Sequence, residues 1–582
     1  MEPLQSFYAQ IAALGGGLLV LPLMLPVAAL LLALALGGRL ARGLVLTLLW
    51  LGLAVALAIA ATVLQGGEPL AYTLGGWAPP LGVTLKADGL SAVLLLLSPL
   101  VLLAVGYYTW RGFQVPEGGD ETRRSLTFWV LLLGVWAGLN TLSLAQDLFT
   151  LFVALELLTF SAVPLVALDG RPETLQAALR YLLFALLGSV LYLLGAVLFY
   201  GSLGTLDIPL LAGRIAAADA LPPAVAFAAA LMTAGLMAKT ALLPLHLWLP
   251  PAHAGAPAPA SAVLSALVVK GSFFLVLRLW FDVMPGLPGL HAATVLGVLG
   301  ACAILLGNLV ALGQVRLKLL VAYSTVAQIG YLFLIFPLAV GAGSGPALTA
   351  GTLQIVSHAC AKAAMFLAAG IIAYALGHDR VRDLGGIARV LPVTVLGFAL
   401  AGLSLVGLQP SGGYLVKALL QSAADLTGQG AWSLVPLAGG LLTAAYLVRV
   451  LASALSGPRP SMVQAPSRPQ EWLVLALALA SLLLGLLPPE VFGLIRVGRA
   501  GIDPAALVAV ALASAWTWDS LTGSIAPVLG VAALVLLLKR RGLPTAGLIV
   551  TRSDAALRQW VPAGLSLLAL TLALAAGIAL GP

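Results

Sequence analysis

Stretches of about twenty apolar residues recur along the whole of this chain, and they constrain its fold more than any other feature. Sixteen can be marked out: 11–36, 44–64, 90–110, 126–146, 147–168, 177–203, 222–248, 259–281, 290–312, 317–338, 346–376, 391–420, 431–455, 471–487, 523–540 and 561–580. Each is long enough to cross a hydrocarbon layer as a helix, the form in which a single segment satisfies its own backbone in lipid. Only 9% of the 582 residues are charged while 61% are hydrophobic, which excludes a soluble globular domain. The expected fold is an all-α polytopic membrane protein with about 16 transmembrane helices. Residues 504–518 form a shorter stretch ending in Trp516 and Trp518 and read as interfacial. Met1 to Gln10 carry Glu2 but no Lys or Arg, so the basic flank of a cleaved signal is missing and the first run is expected to remain a membrane helix.

Basic residues set the expected orientation. Arg39, Arg42, Arg111, Arg123, Arg124, Arg171, Arg316, Lys318, Arg380, Arg382, Arg389, Arg459, Arg468 and the cluster from Lys539 to Arg558 follow odd-numbered runs. The other side has only Lys86, Arg214, Arg496 and Arg499. Both termini are therefore expected on the non-cytoplasmic side of a cell membrane, the inner membrane of a bacterium. The formal charge of +8 comes from these loops and from an internal excess, so no nucleic-acid partner is indicated.

The internal excess is the informative part. Arg180, Lys239, Lys270, Arg278, Lys362, Lys417 and Arg449 lie within apolar runs, against a single securely internal acid, Glu156. An ionisable group at membrane depth costs several kcal/mol and by default marks a functional path. These lysines outnumber the acids, so some must be neutral or hydrated. Arg278 and Arg449 are nearer the ends of their runs, where snorkelling is easy and a structural role is expected. Cys302 and Cys360 have no metal-ligand spacing and read as small buried hydrophobes. No glycine-rich phosphate loop and no nucleophile–base signature occurs. No cofactor, metal or redox site is expected in this chain.

Helix-breaking residues lie close to the charges. Lys239 is five residues before Pro244, Lys417 follows Gly407-Leu-Gln-Pro-Ser-Gly-Gly413, and Lys270 comes after the Pro257–Pro259 segment. Unwound backbone at membrane depth is tolerated where protein or water satisfies it, and paired broken helices point to a transport site. Lys239 and Lys417 are 178 residues apart, about five helices. A repeat with an odd number of helices must return inverted. The organisation expected is N-terminal helices 1–3 over 1–125, inverted five-helix repeats over 126–281 and 290–455, and extra C-terminal helices over 471–582.

The stretch Leu243-Pro-Leu-His-Leu-Trp-Leu-Pro-Pro-Ala-His-Ala-Gly-Ala-Pro-Ala-Pro-Ala-Ser-Ala262, running on to Val269-Lys-Gly271, closely resembles the signature of antiporter-like proton-translocating subunits. These occur in respiratory complex I (NADH:quinone oxidoreductase), in Mrp-type antiporters, where the D-type component is the nearest in kind, and in membrane-bound hydrogenases. Asp147 to Glu156 is similar to the fifth-helix motif, Gln314 to Thr325 to the loop into the tenth, His358 to Ala363 to the eleventh, and Gly407 to Lys417 to the twelfth. The resemblance implies that Glu156 and Lys239 form a coupled ion pair, that Lys270, His358 and Lys362 carry protons along a hydrated axis, and that Lys417 gates the exit. Arg180 resembles the basic position of the sixth helix and would tune the Glu156–Lys239 pair. Two positions depart from the family pattern: Gln409 stands where a first proline is common, and Arg316 where an acid is usual.

Other polar groups read more plainly. His358 and Lys362 share a helix face at i, i+4. His246 and His253 suggest hydration of an entry path. Tyr323, Ser324, Thr325 and Ser357 could hold water, although hydroxyls in such helices mostly bond to the backbone.

The function implied is movement of protons, with sodium exchange as one form of it, by one membrane subunit of a multisubunit antiporter or respiratory complex. Its partners would be other membrane subunits, the bilayer, H+ and Na+. The alternative is a self-sufficient carrier of a small solute or anion, which needs a roomy pocket at the broken helices. The C-terminal part lacks room for the long lateral helix that ends the largest complex I subunit of this type, which favours an Mrp-type or hydrogenase-type relative.

Overall fold

A computed structural model describes residues 15–112, 123–285, 289–339, 344–499 and 501–540, with isolated residues between 569 and 578. Its spans are α1 Gly15–Leu36, α2 Leu40–Gly66, α3 Gly89–Trp110, α4 Arg123–Leu144, α5 Leu148–Val166, α6 Pro172–Leu203, α7 Pro223–Gly255, α8 Ala258–Val283, α9 Leu290–Gly313, α10 Leu317–Leu338 and α11 Ser344–Leu376. The twelfth, α12, consists of two short helices, Pro392–Val406 and Gly412–Leu426. After it come α13 Gly430–Leu455 and α14 Arg468–Leu486. A 12-residue helix, α15 Pro504–Ala515, is too short to cross a bilayer, and α16 Trp518–Leu538 ends the described chain. Fifteen of the sixteen expected runs are thus helical; the run 561–580 and the segment 541–560 fall largely outside the described residues. The chain is a multi-pass, all-α membrane protein. A small antiparallel hairpin between α2 and α3, Leu70–Thr73 with Thr84–Ala87, is the one sheet among the described residues.

The breaks at α7 and α12 follow one pattern. In α7 the first helical stretch stops at Thr240, Ala241 adopts φ 61°, and helix resumes at Leu249. In α12 the first half stops at Val406, Gly407 adopts φ 83°, and Ser411 caps the second half by accepting from the Tyr414 amide. Each half-helix end is closed by a left-handed residue that turns the last carbonyls away from the continuing chain.

The third expected interruption differs. The Pro257–Pro259 segment forms the start of α8, which runs on without a gap; the irregularity lies deeper, as a π-turn at Leu264–Val268 immediately before Lys270. A π-turn adds a residue per turn and re-aims the side chains after it.

Close packing positions the core. Gly188 of α6 and Gly235 of α7 face each other so tightly that a Cβ added to either would clash with the other's carbonyl oxygen. The two backbones therefore meet one turn before Lys239, an approach that only small residues permit. Helices α8 and α10 are buried along nearly their whole length and form the centre of the bundle.

Arg278 does not snorkel, contrary to the expectation from its place near the end of its run. It is 4% exposed, its Nη2 donates to Asp88 Oδ1 at 2.7 Å and its Nη1 to Asp282 Oδ2 at 2.7 Å. Asp282 also meets Arg499 at 3.6 Å, so one charge network ties α3, α8 and the segment after α14. The buried Asp88 from another stretch of chain, with Asp282 one turn along the same helix, outcompetes the distant water. Arg449 does sit near its helix end, where it donates to the Leu312 carbonyl at the C-terminus of α9.

Candidate functional site

Each internal lysine has a defined acceptor. Glu156 of α5 accepts from Lys239 of α7 at 3.2 Å, and Lys239 also donates to Thr159, one turn along α5, at 2.7 Å. Ser189 of α6 donates to the same Glu156 oxygen that accepts from Lys239. The pair is therefore held by three helices, with the ammonium shared between a carboxylate and a hydroxyl. Among the described residues no ion pair joins Arg180 to Glu156. Arg180 instead lines a cavity of about 180 Å³ with His246, Gln314 and Tyr323.

Lys270 is fully buried and donates to the Ser265 carbonyl, which belongs to the π-turn preceding it. The wider turn leaves that oxygen available to a side chain five residues on. The hydroxyl of Ser265 meets that of Thr325 on α10 at 2.9 Å, which links α8 to α10. Lys362 of α11, also fully buried, donates to Ser324 and, at 3.3 Å, to the Val321 carbonyl, both on α10. Lys270, His358 and Lys362 are within electrostatic reach of one another.

His253 belongs to this centre more than to a peripheral loop. Its ring is fully buried, stacks on Phe366 at 4.5 Å, and lies within electrostatic reach of Lys270, Lys318 and Lys362. Lys318 in turn donates to the Ala256 carbonyl at 2.5 Å. Among the described residues, neither ring nitrogen of His253 or His358 has a hydrogen-bond partner.

On α10, Ser324, Gln328 and Tyr331 are at i, i+4 and i+7 and share a face. Gln328 pairs with Gln354 of α11 at 2.9 Å and donates to the Leu405 carbonyl at 3.5 Å, the last turn of the first half of α12. Lys417 donates to the next carbonyl, Val406, and lies 6.0 Å from the Tyr331 ring. Its ammonium thus sits on the C-terminal end of a half-helix, where unsatisfied carbonyls and the macrodipole favour a cation. A cavity of about 570 Å³ opens beside it, lined by both halves of α12, by α13 and by α16.

Several of these groups gave no sequence signal. Thr159, Ser189 and Ser265 look like ordinary helix hydroxyls, and Asp88 like a loop residue. Ser357 joins Ser404 of α12 and Ser481 of α14 in a buried hydroxyl cluster at the α12 break, with separations of 2.7–3.2 Å. The polar stripe of α10 could have been found from its spacing. The Arg316 departure is locally compensated: its Nε donates to Asp379 Oδ1 at 2.9 Å.

Residues 145–443 match the family described as NADH:quinone oxidoreductase/Mrp antiporter, TM, slightly more than half of the chain. The chain is 36% identical over 451 residues to NADH-quinone oxidoreductase subunit N of Desulforudis audaxviator (strain MP104C), covering 76% of this chain and 87% of that protein. The chain belongs to this family. It is also 28% identical over 405 residues to the D component of the Na(+)/H(+) antiporter of Alkalihalophilus pseudofirmus, covering 70% of this chain and 80% of that one. Among solved structures, the Mrp complex from Dietzia sp. DQ12-45-1b contains a chain that superposes with a TM-score of 0.75 at 25% identity, over 85% of this chain and 99% of that one. A chain of respiratory complex I from Thermus thermophilus superposes with a TM-score of 0.64 at 28% identity, over 82% of this chain and 98% of that one. The fold and the membership expected from the five motifs are therefore correct.

Proposed function

We propose that this subunit of the NADH:quinone oxidoreductase/Mrp antiporter family carries protons along Glu156–Lys239, Lys270, His358 with Lys362, and Lys417, within an assembly of several membrane subunits. The observation that carries this is the repeated local arrangement. Lys270 and Lys417 each reach a main-chain carbonyl at a helix irregularity, and Lys239 and Lys362 each reach a hydroxyl on a neighbouring helix as well as a second acceptor. Such an ammonium can lose its proton without leaving a strongly unbalanced charge behind, because its acceptors are neutral dipoles that also bond to water. Glu156 is the exception, and that makes the Glu156–Lys239 pair the switch: opening it changes the field felt by Lys270 in a medium of low dielectric. Arg180, on the helix between the pair and the small cavity, tunes it.

In the same reading, 126–281 and 290–455 are inverted repeats, 1–125 and 471–582 flank them, and both termini face away from the cytoplasm. The two left-handed breaks and the loop distribution of Lys and Arg support this. A solute carrier is less well supported, since its site should involve both breaks and the cavity of about 570 Å³ adjoins only the α12 break.

The test uses the chain purified with its native membrane neighbours and reconstituted in vesicles. Lys239→Ala and Lys417→Ala are each expected to abolish proton translocation while the assembly stays intact. Unchanged translocation in both variants rejects the relay. Replacing external sodium with choline separates antiport from proton pumping alone, and redox subunits among the neighbours identify a pump.

A further inference from the structure

The cavity beside Lys417 has an unusual wall. Helix α16 belongs to the C-terminal extension, beyond the matched family region, yet it reaches back to the α12 break through a compact set of polar contacts. Gln409 Nε2 donates to the Ser520 hydroxyl at 3.1 Å, Ser524 donates to Gln409 Oε1 at 2.8 Å, and the Tyr414 and Ser520 hydroxyls meet at 3.2 Å. The Gln409 amide serves as both donor and acceptor in this contact, so the break in α12 and the first turns of α16 are held together by one side chain.

Beyond this contact α16 is apolar, with Leu529, Leu534 and Leu537 exposed. Its one acid among the described residues, Asp519, lies in the first turn and lines the cavity together with Lys417. The titratable groups around that cavity are Lys417 and Tyr414 from α12 and Asp519 from α16; α13 contributes none. Asp519 and Lys417 thus face one cavity, so a carboxylate oxygen there is placed to take up, through water, a proton leaving the ammonium.

We propose that α16 is a working part of the proton path in this chain: it walls the Lys417 cavity and holds Asp519 there as the group that exchanges the proton with bulk water. The proposal rests on the relay reading above. In the step, an N–H bond of the Lys417 ammonium breaks, water in the cavity passes the proton on, and an O–H bond forms on the Asp519 carboxylate. Release to bulk water restores the carboxylate, and no other group changes. Gln409, Ser520 and Ser524 act as positioning residues that fix the height of Asp519 against the break.

The experiment measures proton translocation by the intact assembly in vesicles, first in dilute buffer and then in concentrated imidazole. Asp519→Asn is expected to slow translocation about tenfold in dilute buffer, less than the ~10²–10⁴-fold of an acid–base group acting in direct contact. Concentrated imidazole, a small mobile proton carrier, is expected to restore it. Gln409→Ala with Ser524→Ala should produce a similar loss, and combining them with Asp519→Asn should add nothing further, because all act on one step. An unchanged rate in Asp519→Asn, or a loss that imidazole leaves in place, overturns the proposal, as does full additivity of the two sets. Lys417→Ala run alongside separates the levels. If it abolishes translocation while Asp519→Asn is silent, only the role of α16 fails. If Lys417→Ala is itself silent, the relay fails with it.

Discussion

A lysine at the centre of a membrane helix costs about 2.5–3.5 kcal/mol, and a hydrogen bond from a charged group returns about 1.5–3 kcal/mol. Those terms are of similar size, so the hydrogen bonds each ammonium makes offset much of the cost of placing it there. Lys239 has the best-supplied position, with Glu156 at 3.2 Å and Thr159 at 2.7 Å. Thr159 offers the ammonium a second resting place when the ion pair opens. Thr159→Val keeps the shape and removes that acceptor, and is expected to lower proton translocation about tenfold, the equivalent of ~1.4 kcal/mol; Thr159→Ser should restore most of it. Rates measured on reconstituted assemblies check this, and a Thr159→Val variant with wild-type rate excludes the second resting place. The lysines themselves were legible in the sequence because an apolar context makes any charge conspicuous. Apart from Glu156, their acceptors were not, since three are main-chain carbonyls and two are hydroxyls of a kind found in most membrane helices. Asp88 was hidden for another reason: it precedes its helix, and only the folded chain brings Arg278 to it.

Helix breaks are legible to the extent that they are written in glycine and proline. Gly407-Leu-Gln-Pro-Ser-Gly-Gly413 announces the α12 break, and Pro244 lies within the α7 break. The left-handed Ala241 and the π-turn at Leu264–Val268 carry no such mark, because neither Ala nor Leu-Ser-Ala-Leu-Val prefers those conformations. The π-turn decides which carbonyl faces Lys270, that of Ser265. Gly407 is the position where backbone and site meet most directly. Its φ of 83° favours glycine, and an added Cβ would lie 2.7 Å from Cδ of Lys417. Gly407→Ala is therefore expected to displace the Lys417 side chain from the Val406 carbonyl and to cut proton translocation more than tenfold, a loss of over ~1.4 kcal/mol in the limiting step. It should also lower the apparent Tm of the purified assembly. Retention of both rate and Tm in that variant means that the break tolerates a side chain and does not hold Lys417 in place.

At the scale of the molecule, the proposed inverted repeats and the C-terminal extension would have to be held in register for the proposed relay, and the buried Asp88–Arg278 pair is placed to do so. Asp88 joins the end of the hairpin to α3, Arg278 belongs to the central helix α8, and Arg499 of the extension reaches the same network through Asp282. Burial alone would raise the Asp88 pKa, but Arg278 and, more weakly, Arg499 and the Ser91 amide outweigh it and hold the carboxyl well below the usual carboxylate range. A group whose folded pKa is depressed contributes its stabilisation in full above its unfolded value, near pH 4, and loses it as the pH falls from there toward the folded value. Asp88→Asn leaves Arg278 buried beside a neutral amide. Removing one partner of a buried pair costs about 3–5 kcal/mol, so the variant should be markedly less stable at neutral pH. The deficit should be constant from neutrality down to about pH 4 and should narrow below it, as the wild-type carboxylate begins to take up a proton. Thermal unfolding of detergent-solubilised protein across that range measures both parts. A variant as stable as wild type, or a deficit that widens on acidification, would mean that the charge network is incidental and that apolar packing alone keeps the extension against the core.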